Sequence, residues 1–293
     1  MVKAIQVQIG TPETEPVLRY VKNAGFTAVS AGFGSSAAFF AGDDWENRTY
    51  ALKEELDALG LACVQTHLPC YDLLLSSEKT DPVTEQCIKR AITAAGILGA
   101  KSCAFHCRSA SDHDFDDERA LSDNLRALED YLPFAQASDV VIAVENLPDF
   151  PGAPQWSLFS RRVSHILALV DHFHDPHVGV CWDFGHAHLT KMDQAACLKE
   201  IGSRLVCTHI HNNFEREDDH LAPSNGTMDF RPLMRTLKEI GYKGPLTLEV
   251  NYGYEGRTTL CENSGLNRFA QSYIRHCFDC ISILADMMEE DVK

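Results

Sequence analysis

Residues 83–106, VTEQCIKRAITAAGILGAKSCAFH, contain one complete unit of the pattern that decides the fold. Apolar residues recur with helical period from Val83 to Leu98. Gly99 then ends the predicted helix, because glycine readily adopts the left-handed backbone found at helix C-termini. The short apolar run Ser102–His106 that follows has the composition of a buried strand. The stretch therefore predicts a helix joined to a strand by a short turn.

The same alternation continues on both sides of this unit, and glycine again closes helices at Gly25, Gly60 and Gly241. Apolar runs predict eight strands, at Ile5–Ile9, Phe26–Ser30, Ala62–His67, Ser102–His106, Val140–Glu145, Val178–Asp183, Leu205–His209 and Leu246–Val250. Helical periodicity predicts eight helices after them, at Thr11–Asn23, Trp45–Leu59, Val83–Leu98, Asp117–Ala137, Ser160–His172, Gln194–Ile201, Phe230–Ile240 and Arg268–Met287.

Strands and helices in strict alternation predict parallel pairing with right-handed crossovers. Eight repeats favour an α/β fold of the (β/α)8 TIM-barrel type, which commonly needs about 250 residues. An open doubly wound sheet is the main alternative, but no Gly-x-Gly-x-x-Gly sequence follows the first strand, so the usual dinucleotide-binding turn is absent. Since no linker or composition break divides the chain, we expect residues 1–293 to form a single TIM-barrel domain.

The composition is that of an ordinary globular protein, with 45% hydrophobic and 23% charged residues. The 11 cysteines are odd in number and scattered, which favours reduced thiols over a disulfide framework. The sequence starts MVKAIQVQIG, passing into the first predicted strand without an export signal, and no apolar run is long enough to span a bilayer. These features predict a cytoplasmic protein with no membrane partner.

The net charge of the chain indicates which kinds of molecule it can bind. The chain carries a formal charge of −16, whereas proteins that bind nucleic acids draw much of their affinity from Lys and Arg on the phosphate backbone. The sequence therefore predicts no nucleic-acid partner. A small molecule is the expected ligand.

Six consecutive predicted strands end on a histidine or a carboxylate, and in a TIM barrel the C-terminal strand ends line the active site. Any single one of these residues could be a solvated loop residue, but six of them at the same depth in the barrel indicate one shared site. Apolar neighbours would bury these groups, and buried carboxylates repel one another unless a cation neutralises them. Nitrogen and oxygen ligands suit Mn, Zn, Co, Mg or Fe. The six residues are His67, His106, Glu145, Asp183, His209 and Glu249.

In these motifs the chain resembles the xylose-isomerase-like barrels, a family that includes ketose 3-epimerases, inosose dehydratases and endonuclease IV. The resemblance covers essentially the whole chain in architecture, and its specific motifs lie between His67 and Glu249. Sugar epimerases of the family hold one divalent metal with a Glu, an Asp, a His and a second Glu from strands five to eight. The resemblance implies that the ligands here are Glu145 in Val-Glu-Asn, Asp183 in Trp-Asp-Phe-Gly-His, His209 in His-Ile-His-Asn and Glu249 in Leu-Glu-Val.

Further family positions are present outside this set. His186 resembles a family histidine that contacts substrate or a second metal, and Asp218 with His220 resembles the family's Asp-x-His. The turn that follows is usually richer in glycine, so Ser224 and Asn225 depart from the pattern. Endonuclease IV holds three zinc ions with nine such side chains. The resemblance therefore implies additional candidate metal ligands at His67, His106, His186, Asp218 and His220.

The resemblance implies a metal-dependent isomerase or epimerase of a sugar or sugar phosphate, acting through a cis-enediolate by proton transfer. Glu145 and Glu249 are the candidates for removing and returning the proton. His211 is a candidate for contact with substrate or for orienting a ligand. Together, the candidate substrate-binding residues are His67, His106, His186, His211 and Arg216. The loop arginines that could hold a phosphate are Arg108, Arg216 and Arg257, of which Arg216 is the best placed.

Other functions stay open at this stage. A dehydratase or other lyase would share the enediolate step, a zinc-cluster phosphoesterase of the endonuclease IV type is opposed by the charge, and a barrel that only binds remains an alternative. The expected partner is a sugar or polyol, and the sequence is compatible with a homo-oligomer. The number of metal ions per chain separates these classes, since one ion favours the sugar enzymes and two or three favour the phosphoesterase.

Overall fold

The computed structural model describes residues 1–34, 37–74, 76–109, 116–149, 158–251 and 264–290. Within these ranges, eight strands alternate with helices along the chain. The strands are β1 (Lys3–Gln8), β2 (Ala28–Gly32), β3 (Ala62–His67), β4 (Ser102–Phe105), β5 (Val141–Glu145), β6 (Val178–Asp183), β7 (Leu205–His209) and β8 (Leu246–Leu248).

Each strand pairs in parallel with its neighbour in sequence from β1 to β7, and β8 pairs in parallel with β1. The remaining edges meet where Ile210 bridges Leu248, just beyond the end of β7. There the backbone N–H of Ile210 donates to Thr247 at 2.8 Å, and that of Glu249 donates to Ile210 at 3.1 Å. The sheet thus curls into a nearly closed barrel. The predicted (β/α)8 fold is confirmed, and the doubly wound alternative is wrong.

Helices surround the barrel and cover it with apolar faces. Gly25, Gly60 and Gly99 end three of them in the left-handed conformation, as the sequence predicts. None of the described helices is both long and apolar enough to cross a bilayer. The helices are α1 (Thr14–Ala24), α2 (Ala37–Phe40), α3 (Trp45–Leu59), α4 (Pro82–Leu98), α5 (Asp117–Ser138), α6 (Val163–Phe173), α7 (Phe184–Leu189), α8 (Gln194–Ile201), α9 (Phe230–Glu239) and α10 (Ser264–Glu289).

Small side chains form a separate buried cluster in the barrel, close to the C-terminal ends of four strands. They are Ala104, Ala143, Cys181 and Cys207. Because side chains alternate between the two faces of a strand, the residue two positions further on faces the same interior. Those residues are His106, Glu145, Asp183 and His209, which therefore point into the mouth of the barrel.

Candidate metal centre and active site

Four side chains from neighbouring strands converge at the C-terminal mouth. Glu145, Asp183 and His209 are the last residues of β5, β6 and β7, and Glu249 directly follows β8. Each of the four offers one ligand atom, and these atoms all lie within 4.8 Å of one another. The structure thus brings together the four residues that the sequence predicts as metal ligands. Three carboxylates and one imidazole form a set suited to a divalent cation.

His209 lies between the two glutamates. Its Nδ1 atom is 3.0 Å from Oε1 of Glu145 and 3.2 Å from Oε2 of Glu249. The other carboxylate oxygen of Glu249 accepts a hydrogen bond of 2.6 Å from the amide of Gln6 on β1. Glu145 is completely buried, whereas the Glu249 side chain is 14% exposed. Glu249 therefore lies nearer the opening through which a substrate would enter.

Asp183 is held in place by Asn146, which directly follows β5, and by the first turn of α7. Its backbone N–H donates to Oδ1 of Asn146 at 2.7 Å, and the Asn146 amide donates to the Asp183 carbonyl at 2.8 Å. One carboxylate oxygen, Oδ1, accepts the backbone N–H of His186 at 2.6 Å and so caps the N-terminus of α7. The second oxygen, Oδ2, is left to point into the cluster.

Two carboxylate oxygens in the cluster are buried without a hydrogen bond from the described residues: Oδ2 of Asp183, and Oε2 of Glu145, which has an ion contact of 3.4 Å with Nε2 of His106. A buried polar atom left unpaired costs about 1–3 kcal/mol, and more when it is charged. A cation among these side chains would remove that cost and offset the repulsion between the carboxylates. By this test the residues present fit a divalent metal.

The two glutamates are held in their ionised form. Burial by itself raises the pKa of a carboxylic acid, but nearby imidazoles act in the opposite direction. The rings of His209 and His106 hold the pKa of Glu145 well below its usual range despite its burial. Against the same effect of burial, the rings of His209 and His220 lower the pKa of Glu249 to about 2. Both groups are therefore carboxylates at neutral pH, able to bind a cation or accept a proton.

A second group of side chains lies on one side of Glu145. Nε2 of His67 is 3.1 Å from Nε2 of His106, which lies 3.4 Å from Oε2 of Glu145. Cys70, an exposed thiol three residues after His67, completes a group whose ligand atoms lie within 4.8 Å of one another. Burial and the charge on His106 lower the pKa of His67 to about 4. His67 is therefore neutral at pH 7 and can donate or accept a hydrogen bond.

A third group lies on the side of Asp183. Oδ2 of Asp218 is 3.2 Å from Nε2 of His186 and 3.2 Å from Nε2 of His220. His211, fully buried, places its Nε2 atom 3.1 Å from Oδ1 of Asp183. Its ring stacks on that of His220, with centroids 3.9 Å apart. All nine side chains that the sequence identifies as candidate ligands therefore surround one mouth, and His211 lies among them.

Two backbone features make room for this third group. A Cβ atom on Gly185 would lie only 1.9 Å from the ring of His211, so only glycine fits at this position of α7. His220 itself has a φ of 48°, a left-handed conformation that is uncommon outside glycine, although histidine adopts it more often than most residues. Its ring is held by a contact of 3.0 Å between Nδ1 and the carbonyl oxygen of Glu249. An uncommon backbone conformation thus accompanies the placement of His220 at the mouth.

The predicted phosphate-binding arginines differ in their surroundings. Arg216 is exposed in the loop between β7 and α9, and its contact with a substrate stays a prediction. Arg257 lies outside the described residues. The loop around Arg216 contains a cavity of about 370 Å³ lined by Phe214, Arg216, Glu217, Asp219 and Thr227.

Arg108 is not available to a phosphate, and that prediction is wrong. The residue is fully buried, with its guanidinium 2.5 Å from Glu85 and 3.2 Å from the hydroxyl of Tyr131. The guanidinium also stacks 4.3 Å from the ring centre of Tyr71, whose hydroxyl donates to the backbone carbonyl of His106. Arg108 therefore holds the loop after β3 against the end of β4.

We expect Arg108→Met to lower the free energy of unfolding by at least about 2 kcal/mol, because it removes the buried cation that neutralises Glu85 and donates to Tyr131. The matched control is Arg19→Met, since Arg19 is exposed and its ion pair with Glu15, also exposed, contributes little to stability. Urea unfolding of both variants measures the difference. Equal stability of the two variants would contradict this role for Arg108.

Three side chains at the mouth were missed in the sequence. Gln6 and Gln65 are polar residues in the interior of β1 and β3, and each contacts a member of the four-residue cluster. Gln65 stands two positions before His67, so the alternation of the strand places both on the interior face. This two-residue spacing could have identified Gln65 as a site residue from the sequence. The sequence around Cys70 contains no comparable pattern, because a cysteine just after a strand is ordinarily a small apolar residue.

A model of the xylose isomerase-like TIM barrel family matches residues 18–270. The chain belongs to this family.

Its relatives include proteins with and without an assigned activity. The chain is 31% identical over 165 residues to the uncharacterized protein y4fM of Sinorhizobium fredii, covering 55% of this chain and 51% of that protein. It is 26% identical over 139 residues to the D-psicose 3-epimerase of Enterocloster bolteae, covering 47% and 42%. It is 29% identical over 138 residues to the mannonate dehydratase of Endomicrobium trichonymphae, covering 42% and 36%. The chain thus matches between 36% and 51% of the length of these curated relatives.

The fold is shared along the whole chain with solved structures. The crystal structure of a D-psicose 3-epimerase in the presence of D-fructose superposes with a TM-score of 0.73 at 14% identity, covering 99% of this chain and 100% of that one. At this identity the likeness shows the fold alone.

Proposed function

We propose that the protein is a metal-dependent isomerase or epimerase that acts on a sugar or sugar phosphate. The observation that carries the proposal is the convergence of Glu145, Asp183, His209 and Glu249, two of whose buried carboxylate oxygens accept no hydrogen bond from the described residues. Membership of the xylose isomerase-like family and the presence of a D-psicose 3-epimerase among the relatives support it.

In this proposal the four side chains hold one divalent metal of the Mn, Zn, Co or Mg type. When bound, such an ion polarises a substrate carbonyl and stabilises the negative charge that develops as the neighbouring carbon loses its proton. The protein's own part is to fix the ligand geometry. Asn146 and α7 set the position of Asp183, and Gln6 sets that of Glu249.

In this proposal Glu145 and Glu249 transfer the proton. Both are ionised at neutral pH and therefore able to accept a proton from carbon. One carboxylate removes the proton and the other returns one. Return to the opposite face of the same carbon inverts it and gives an epimer. Return to the neighbouring carbon gives an isomer.

The histidines on both sides are the proposed contacts for substrate hydroxyls. His67 and His106 lie beside Glu145, while His186 and His211 lie beside Asp183. His67, which is neutral at pH 7, offers one donor and one acceptor to a hydroxyl group, whereas a protonated ring such as that of His186 only donates to the hydroxyl oxygen. Arg216, at the exposed cavity of the β7–α9 loop, is the proposed contact for a phosphate or a distal hydroxyl.

A dehydratase is the second candidate, and the group around Asp218 favours it. Loss of water needs an acid near the departing hydroxyl. Although burial opposes it, Asp183 and Asp218 raise the pKa of His186 well above its usual value, so that this ring can carry a proton at neutral pH. The mannonate dehydratase among the relatives is consistent with this chemistry.

The experiment is hydrogen exchange from substrate carbon into deuterated solvent, followed by NMR across a panel of ketoses, their phosphates and inososes. We expect the metal-loaded protein to exchange one C–H hydrogen next to the carbonyl of at least one of these compounds. The products then separate the candidates, because an epimerase or isomerase conserves the formula and a dehydratase releases water. No exchange with any compound by metal-loaded protein would contradict the proposal.

A further inference from the structure

Gln65 lies fully buried in β3, beneath the four-residue cluster. The amide of Gln65 contacts two groups. Its nitrogen lies 2.8 Å from Nε2 of His209, and its oxygen accepts a hydrogen bond of 2.9 Å from the hydroxyl of Thr247 on β8. Since Nδ1 of His209 faces Glu145 and Glu249, both ring nitrogens of His209 have fixed neighbours.

Metal binding requires a neutral His209 ring, and this arrangement determines where the one hydrogen of that neutral ring resides. With the amide nitrogen of Gln65 as donor, Nε2 of His209 must accept, and the ring hydrogen then sits on Nδ1 between the two carboxylates. Nδ1 cannot bind a cation while it carries that hydrogen. A metal on Nδ1 requires the hydrogen to be on Nε2, where the amide N–H of Gln65 would oppose it.

Rotation of the Gln65 amide by half a turn about its Cγ–Cδ bond resolves this conflict. The amide oxygen then accepts the Nε2–H of His209, and the amide nitrogen turns to the Thr247 hydroxyl. A hydroxyl donates and accepts, so Thr247 can pair with either end of the amide. The side chains of Thr247, Gln65 and His209 therefore stay hydrogen-bonded to one another in both orientations of the amide. No apolar residue at position 65 could make these hydrogen bonds.

We propose that Gln65 is a positioning residue that selects the ring tautomer of His209 required for metal binding, through this rotation of its amide. The inference rests on the metal site of the proposed function and extends it to a residue that touches neither metal nor substrate. It depends on the two contacts of the amide and on the burial of all the groups concerned. Metal binding by His209 and the orientation of Gln65 are therefore coupled.

Metal affinity without substrate tests the coupling. We expect Gln65→Leu to weaken binding of Zn²⁺ or Mn²⁺ by about 10–100-fold, the usual effect of removing the partner of a metal-bound histidine. Gln65→Glu should bind at least as tightly as the wild type, because it retains an oxygen acceptor of the same size facing Nε2. The matched control is Gln194→Leu, since Gln194 is also buried but contacts Trp182 and Phe184 and none of the four ligands. Competition with a chromophoric chelator measures the affinities, and thermal unfolding confirms that each variant is folded.

A spectroscopic readout separates tautomer selection from a merely structural role. In ¹⁵N-labelled, zinc-loaded wild-type protein, we expect a slowly exchanging proton on Nε2 of His209, assigned by its loss in His209→Ala. That proton should exchange rapidly in Gln65→Leu, where it lacks an acceptor. This test remains decisive even if Gln65→Leu does not fold, because a wild-type ring that carries its proton on Nδ1 with zinc bound would overturn the inference.

The outcomes also distinguish this inference from the proposed function. Equal affinity of Gln65→Leu and Gln194→Leu would overturn the inference while leaving the metal site intact. A wild-type protein that binds metal with the expected Gln65 dependence but exchanges no sugar hydrogen would refute the proposed function alone. A wild-type protein that binds no divalent metal would refute both.

Discussion

Glu249→Gln is expected to slow exchange of substrate hydrogen by about 10²–10⁴-fold while the metal stays bound. The amide keeps the size of the side chain and an oxygen ligand but cannot accept a proton from carbon. Gln6 already holds one oxygen of Glu249, so the substitution changes the chemistry of the group more than its position. Exchange per metal-loaded chain, with metal content from elemental analysis, measures the effect.

The control for this variant is Glu54→Gln, the same chemical change at an exposed position of α3. It should exchange at the wild-type rate, because position 54 lies far from the mouth in a helix on the outside of the barrel. If Glu249→Gln retained full exchange, Glu249 would no longer belong to the acid–base pair. Glu145 would then need a different partner.

His209→Ala is expected to weaken metal binding rather than to block proton transfer, because it removes a metal ligand without removing a proposed proton carrier. We expect metal affinity to fall by more than about 100-fold, beyond the effect of losing an outer partner of a ligand. Hydrogen exchange by His209→Ala should recover in part at high added Mn²⁺ or Co²⁺, because excess metal compensates for the lost metal affinity and both proton carriers, Glu145 and Glu249, are still present. Glu249→Gln should not recover under the same conditions.

His172→Ala serves as the control, because His172 is exposed on α6 and makes a ring contact only with Phe173 among the described interactions. Its metal affinity and exchange rate should match the wild type. Wild-type metal affinity in His209→Ala would place the metal elsewhere, with the groups around Cys70 or Asp218 as the alternatives.

The order and type of the main elements followed from the sequence, while several boundaries did not. The predicted β8 extends to Val250, but the observed strand ends at Leu248, although Glu249 still donates its backbone N–H to Ile210. The predicted first helix starts at Thr11, whereas α1 starts at Thr14 after a turn. Helix α7 was missed because its six residues are too short for a helical period. Its start depends on the carboxylate of Asp183.

The site residues that lie at the C-terminal ends of strands could be predicted from the sequence. The carboxyl ends of parallel strands meet at one mouth of a barrel, so residues far apart in sequence could be grouped before their distances were known. Burial from tertiary packing could not be predicted. Arg108 and Arg216 are both loop arginines in the sequence, but Glu85 and Tyr131 bury only the first. The contact of Gln65 with His209 likewise joins residues on strands that are not adjacent.

The most direct test of the central claim is the rate of substrate C–H exchange in deuterated solvent as metal is returned to chelator-treated wild-type protein. If one divalent ion at Glu145, Asp183, His209 and Glu249 supports proton transfer, exchange should rise with added Mn²⁺ or Co²⁺ and level off at one equivalent per chain. Exchange that is unaffected by the chelator, or that stays absent for every sugar in the panel at full metal occupancy, would contradict the account.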